Sequence, residues 1–291
     1  MFVLKAHGPR RSLVLLPVIA VTAALIAGGC GSSKPVVNKI DHITIETPDA
    51  ASLFAFFTDG LGLPMAWPLA QYPGYSTAGV QAGNVNIEML QPGSAPSSSK
   101  PPVAAVYGIV FDPAAPLTEI RGELEARGAD PSKPKVQEGE VNGKMVPFWT
   151  NMTLNALCTK NYIVYLCQYA PESKARLNSR KATPPFGGMS VESMSEVDIV
   201  TTDVNKARSE WKKILAPAPM SSDGLMTIGA GPGVRISSGS NEAIEGIVFK
   251  VKSLPEAMAF LQKENLLKSS TASQAVIDPA RAQGIEIKLV Q

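Results

Sequence analysis

The sequence predicts an α+β fold in which four βαβββ units pair into two curved mixed sheets with their helices outside. Three observations predict it. Period-two runs of Val, Ile, Thr and aromatic residues alternate with segments of helical spacing. The order strand, helix, then two or three strands occurs four times. The tetrapeptide GIVF precedes a helix at both 108–111 and 246–249. A single unit of this size cannot bury both its helix and its sheet, so units must share a sheet in pairs.

The first unit covers 38–90. KIDHITIET reads as a strand, Pro48-Asp49 opens a helix with Ala51, Phe54, Ala55 and Leu61 at helical intervals, and Gly60 or Gly62 turns the chain. MAWPLAQYPGYS reads as an aromatic, proline-stiffened loop, and YSTAGVQAG with NVNIEML forms a hairpin around Gly83-Asn84. The second unit, 104–170, runs AVYGIVF, PLTEIRGELEARG, then strands near GKMVPFWTNM and NYIVYLCQY. SEVDIVTTD, VNKARSEWKKIL, DGLMTIGA and GVRISSG make the third, with Trp211 packed on its sheet. IEGIVFKVK, LPEAMAFLQKENL, SQAVIDP and QGIEIKLVQ make the fourth. The Pro- and Ser-rich stretch 91–102 joins the first two units. A polar stretch, 171–189, reads as the linker between domain one (38–170) and domain two (190–291).

The N-terminus has a separate role. Lys5, Arg10 and Arg11 precede a long apolar run that ends at Cys30, the layout of an export signal over 1–29 followed by a tether over 30–37. LIAGGC resembles a bacterial lipoprotein signal, in which Cys30 becomes the lipidated first residue and anchors the protein in the cell envelope. An uncleaved anchor and a secreted soluble chain are the alternatives. Removing the signal removes three positive charges and no negative ones, so the body is close to neutral despite the formal charge of +2. That balance, without a Lys/Arg cluster, argues against nucleic acid. Cys158 and Cys167 read as two buried free thiols, because a tight turn at Lys160-Asn161 would set Cys158 opposite Ile163.

The chain resembles the vicinal-oxygen-chelate superfamily, which includes glyoxalase I, bleomycin-resistance proteins and extradiol dioxygenases. KIDHITIETPDAASLFAFFTDGLGLP with NVNIEML carries the resemblance, as does VYGIVFDPAAPLTEIRGELEARGAD with YIVYLCQYAP. EVDIVTTDVNKARSEWKKIL and QGIEIKLV are weaker echoes. The resemblance implies two glyoxalase-like domains over almost everything after residue 38. In metal-dependent members the first and last strands of each unit supply ligands to one divalent ion, which places His42 and Glu88 as metal ligands. Imidazole and carboxylate suit Zn, Ni, Fe or Mn, and such an ion polarises substrate oxygens. The second unit departs from the pattern: Gly108 stands at the histidine position, and Cys167 or Gln168, on opposite faces, stands at the last. Domain two departs further, with Glu196, Gly246, Glu286, and Arg235 or Ser237 at the corresponding places, a degenerate second site.

Trp67, Tyr72, Tyr75, Phe148 and Trp149 are candidates for a pocket lining, although adjacent Phe148 and Trp149 cannot both face inward in a regular strand. There is no GxSxG elbow and no phosphate-binding glycine loop. The expectation is a membrane-tethered small-molecule-binding protein holding no metal or one divalent ion. A metal-dependent lyase or dioxygenase using domain one, and a protein-interaction component of the envelope, are the alternatives.

Overall fold

The computed structural model describes residues 33–93 and 103–291. The signal, Cys30 and most of the 91–102 stretch lie outside them. Among the described residues no helix is long and apolar enough to cross a membrane.

The first unit contains β1 (Val37–Glu46), α1 (Ala50–Ala55), β2 (Met65–Tyr72), β3 (Tyr75–Gln81) and β4 (Asn86–Pro92). Asp49 caps α1 by accepting from the Ser52 N–H, and a π-turn at Phe56–Gly60 ends it. MAWPLAQY is a strand, not the proline-stiffened loop expected. It lies at the outer edge of the sheet and pairs only with β3, where Pro68 removes no hydrogen bond the sheet needs. The second unit contains β5 (Ala105–Pro113), α2 (Leu117–Ala126), β6 (Lys135–Val141), β7 (Lys144–Thr153) and β8 (Ile163–Tyr169).

The polar stretch read as a linker holds a helix, α3 (Pro171–Asn178), started by Pro171. The third unit follows as β9 (Val191–Thr201), α4 (Val204–Ile214), a two-residue β10 (Leu225–Met226) and β11 (Gly233–Ser238). The fourth is β12 (Ala243–Val251), α5 (Leu254–Lys263), β13 (Leu267–Ser270), β14 (Ala275–Ile277) and β15 (Glu286–Val290).

Pairing repeats as the sequence does. The first strand of each unit lies parallel to its last, in β1–β4, β5–β8, β9–β11 and β12–β15. Units one and two join antiparallel through β1–β5, and units three and four through β9–β12. A bridge from Ile244 to Val106 makes the whole one open, mixed, curved sheet.

Alternation divides the two faces. Ile43, Ile45, Ile87, Met89, Ile109 and Phe111 are buried toward the helices, at roughly 1.5–3 kcal/mol for each fully buried side chain. Their neighbours His42, Thr44, Glu88 and Val110 face the concave side, the cup. Trp211 on α4 is buried and meets Phe111 edge-on at 6.4 Å, so the third unit's helix also packs on the second unit. Arg127, at the end of α2, donates to the carbonyls of Lys34, Ile214 and Ala216 and pairs with Glu123, fastening three chain segments. Cys158 and Cys167 are free. No tight hairpin joins β7 to β8, and Cys167 lies opposite Asn151.

Candidate functional site

The first cup is built around a bulge in β1. Ile40 pairs with Phe111 and His42 with Val110, so Asp41 is an extra residue and turns to the same side as His42. The Asp41 carboxylate accepts from His42 Nδ1 at 2.8 Å and from the Tyr169 hydroxyl at 2.9 Å. On the other side of the ring, His42 Nε2 lies 3.6 Å from Glu88 Oε2, close enough to feel its charge and too far for a good hydrogen bond. Burial pushes the His42 pKa down; the hydrogen bond and charge of Asp41, with the charge of Glu88, outweigh it and hold the value above 6.5. For Asp41, burial raises the pKa, but His42, Tyr169 and Lys39 together bring it below the usual carboxylate value.

Glu88 is occupied on both oxygens. Thr44 donates to Oε2 at 3.1 Å and Thr77 to Oε1 at 2.8 Å. These hydroxyls sit where the pleat places them: Thr44 pairs with Glu88 across β1–β4, and Thr77 is two residues from Gly79, which pairs with Glu88 across β3–β4.

Strand register identifies the fourth position of the cup. β1 and β5 are related about the Ile43–Ile109 pair, which carries His42 onto Gly108 and Thr44 onto Val110. Glu88 is the partner of Thr44, and the partner of Val110 is Tyr165. Tyr165 therefore stands opposite Glu88, with its ring edge-on to His42 at 6.3 Å.

This corrects the sequence reading, which placed Cys167 or Gln168 there. Gln168 faces the helices, where its side-chain oxygen accepts from Leu117 N–H and caps α2. Cys167 faces the cup one pleat further along, and burial followed by the charge of Asp41 pushes its thiol far up, the setting of a protonated buried thiol.

The donor set does not fit a divalent ion. Its members are one imidazole, a carboxylate that accepts from two hydroxyls, a glycine with no side chain to offer and a phenol, which is outside the Cys, His, Asp and Glu donors that usually hold such ions. Among the described residues no three His, Cys, Asp or Glu side chains converge as a metal site. At Gly108, a side-chain carbon would come within 3.1 Å of Thr44, so the position has little room for a ligand in any case.

The second cup holds paired charges. The same relation about Val197–Ile247 carries Glu196 onto Gly246 and sets Lys288, not Glu286, opposite Arg235. Arg235 binds Glu196 through two nitrogens and also meets Asp223, while Lys288 reaches Asp198 and Glu286. Glu196 and Arg235 are thus together; Glu286 belongs to a separate cluster.

Of the predicted aromatic lining, Trp67 lies across Gly79, where an added side-chain carbon would sit 2.4 Å from the indole, and so stands beside Glu88. Trp149 pairs with Tyr169 on the cup side. Phe148 is the extra residue of a bulge, stacked on Trp149 at 5.9 Å and covering Gly139. Tyr72 and Tyr75 stack at 5.1 Å on the rim, Tyr72 exposed.

A cleft of about 250 Å³ opens at the end of the first cup, between β1, β4 and α3. Asp41, Tyr169 and Gln81 reach it from the cup; Lys174, Leu177, Asn178 and Lys181 reach it from α3 and the segment after it. Gln81 anchors that segment, donating to Arg180 carbonyl at 2.6 Å and accepting from Ala182 N–H at 2.8 Å. Sequence reasoning missed Tyr165 and Tyr169, although period two in YIVYLCQY puts both on the face of Cys167. It had no signal for Asp41, because the bulge leaves no mark in the pattern.

No family profile matches the chain, and no curated protein sequence does. Solved structures do. Homoprotocatechuate 2,3-dioxygenase from Brevibacterium fuscum superposes with a TM-score of 0.59 at 11% identity, over 90% of this chain and 73% of the enzyme. The enzyme of the same name from Arthrobacter globiformis gives 0.58 at 12% identity, over 89% and 81%. At such identities the likeness concerns the backbone alone. The chain has the vicinal-oxygen-chelate fold in the arrangement of the extradiol dioxygenases.

Proposed function

We propose that the first cup binds a small molecule without a resident metal ion, and that the protein acts through this binding and not through catalysis. One observation carries the reading. The cup ends in a cleft roofed by α3, and its floor is the Asp41–Tyr169 pair, while His42 and Glu88, at the family's metal positions, are engaged by Asp41 and by Thr44 and Thr77 respectively. The dioxygenase-type alternative has the fold likeness in its favour, and that likeness does not extend to a ligand set. Lipid attachment at Cys30, with the domain held at an envelope membrane, completes the proposal and rests on the signal-like N-terminus.

Ligand-observed NMR with a panel of small polar and aromatic fragments tests the binding. Fragments are expected to bind the wild-type protein and to be lost in Asn86→Trp, which fills the cleft. Hits that persist in the variant place the binding elsewhere and contradict the proposal.

A further inference from the structure

We infer that the cleft under α3 selects an organic anion, a molecule of about ten heavy atoms carrying a carboxylate or phosphate group. The inference rests on the reading of the first cup as an ion-free pocket and names the class of molecule it takes. The size follows from the cleft: about 250 Å³ is the room of roughly eight waters at ~30 Å³ each.

The charge follows from which groups are already engaged. Five charged side chains line the cleft: Lys39, Lys174, Lys181, Asp41 and Asp112. Both aspartates are committed. Asp41 holds His42 and Tyr169, and Asp112 accepts from Asn38 and pairs with Lys174 at 3.3 Å. Among the described residues, Lys39 and Lys181 have no such ion pair. Lys39 lies across from Asp112 in the β1–β5 register, yet the Asp112 contacts go to Asn38 and Lys174. Three cations against two anions leave a positive excess.

The Asn86 and Asn178 side-chain amides also line the cleft without a hydrogen bond to the described residues. A neutral molecule would leave the two ammonium groups as they are in water. An anion placed between them gains charge-assisted hydrogen bonds from Lys39 and Lys181 in a partly enclosed space.

Isothermal titration of the full-length protein with benzoate, phenyl phosphate and the neutral isostere benzamide tests the inference. Either anion is expected to bind at about 1 mM or tighter, with benzamide at least tenfold weaker. Benzoate alone assigns a carboxylate source, phenyl phosphate alone a phosphate source. Lys39→Gln with Lys181→Gln is expected to weaken the anion about tenfold, and raising the salt concentration to weaken wild-type binding in the same direction.

Equal binding of benzoate and benzamide overturns the inference and leaves the pocket standing. Anion binding indifferent both to the two substitutions and to salt overturns it too. If no probe binds, the inference fails, and the fragment screen decides separately whether the pocket itself survives.

Discussion

His42 is 6% exposed and lies between two carboxylates, Asp41 on Nδ1 and Glu88 facing Nε2. Folding raises its pKa, so the stability this gives is fully present below the unfolded value of about 6.5 and is lost as pH rises through the folded value. Asp41 acts at the other end. Its pKa is lowered, so its contribution is present above about 3.8 and is lost as pH falls through the folded value. Urea unfolding across pH is expected to show stability declining on the alkaline side of 6.5, and His42→Gln is expected to flatten that slope. An unchanged slope contradicts the buried, charge-stabilised imidazole. Asp41→Ala leaves His42 and Tyr169 without an acceptor and is expected to cost about 3 kcal/mol. Tyr169→Phe removes one hydrogen bond and is expected to cost about 1–2 kcal/mol. His42 and Glu88 were legible in the sequence because strand alternation fixes their faces. Asp41 was not, since an extra residue in β1 reverses its side and only its pairing with β5 discloses it.

At the scale of elements, the segment after α3 is held over the cup by Gln81, whose side chain makes two hydrogen bonds to its backbone, at Arg180 and Ala182. α3 itself buries no residue, and its Lys174–Asp112 ion pair is partly exposed, so its own side chains hold it down weakly. Gln81→Leu is expected to raise amide exchange across 171–182 while β1 and β4 keep their protection. Equal loss of protection in β1 and β4 shows instead that Gln81 supports the sheet. The sequence marked 171–189 as polar and Pro/Gly-scattered, which is true of the segment and silent about what it covers. The strand–helix–strand order was readable because each unit repeats its periodicities. The edge strand β2 was hidden by Pro68, whose position at the sheet margin costs no ladder bond.

Across the whole molecule, the four units are joined by β1–β5, β9–β12, the Ile244–Val106 bridge, Trp211 against Phe111, and the Arg127 clamp. Arg127→Met leaves three carbonyls and Glu123 without their donor and is expected to lower stability by about 3 kcal/mol, seen as a lower midpoint in thermal unfolding. An unchanged midpoint shows that the clamp is solvent-replaceable. The backbone matches that of the extradiol dioxygenases at 11% identity because the strand framework needs only the hydrophobic face of each strand, whereas a metal centre of the kind the sequence resemblance implies needs particular side chains at particular positions. Here those positions hold His42, Glu88, Gly108 and Tyr165, and Thr44 and Thr77 complete the hydrogen bonding of Glu88. Elemental analysis of the purified full-length protein after exposure to Zn, Ni, Fe(II) and Mn salts and dialysis tests this most directly. The expected result is far less than one ion of any of them per chain, the same in wild type and His42→Ala; a stoichiometric, tightly held ion lost in His42→Ala contradicts it.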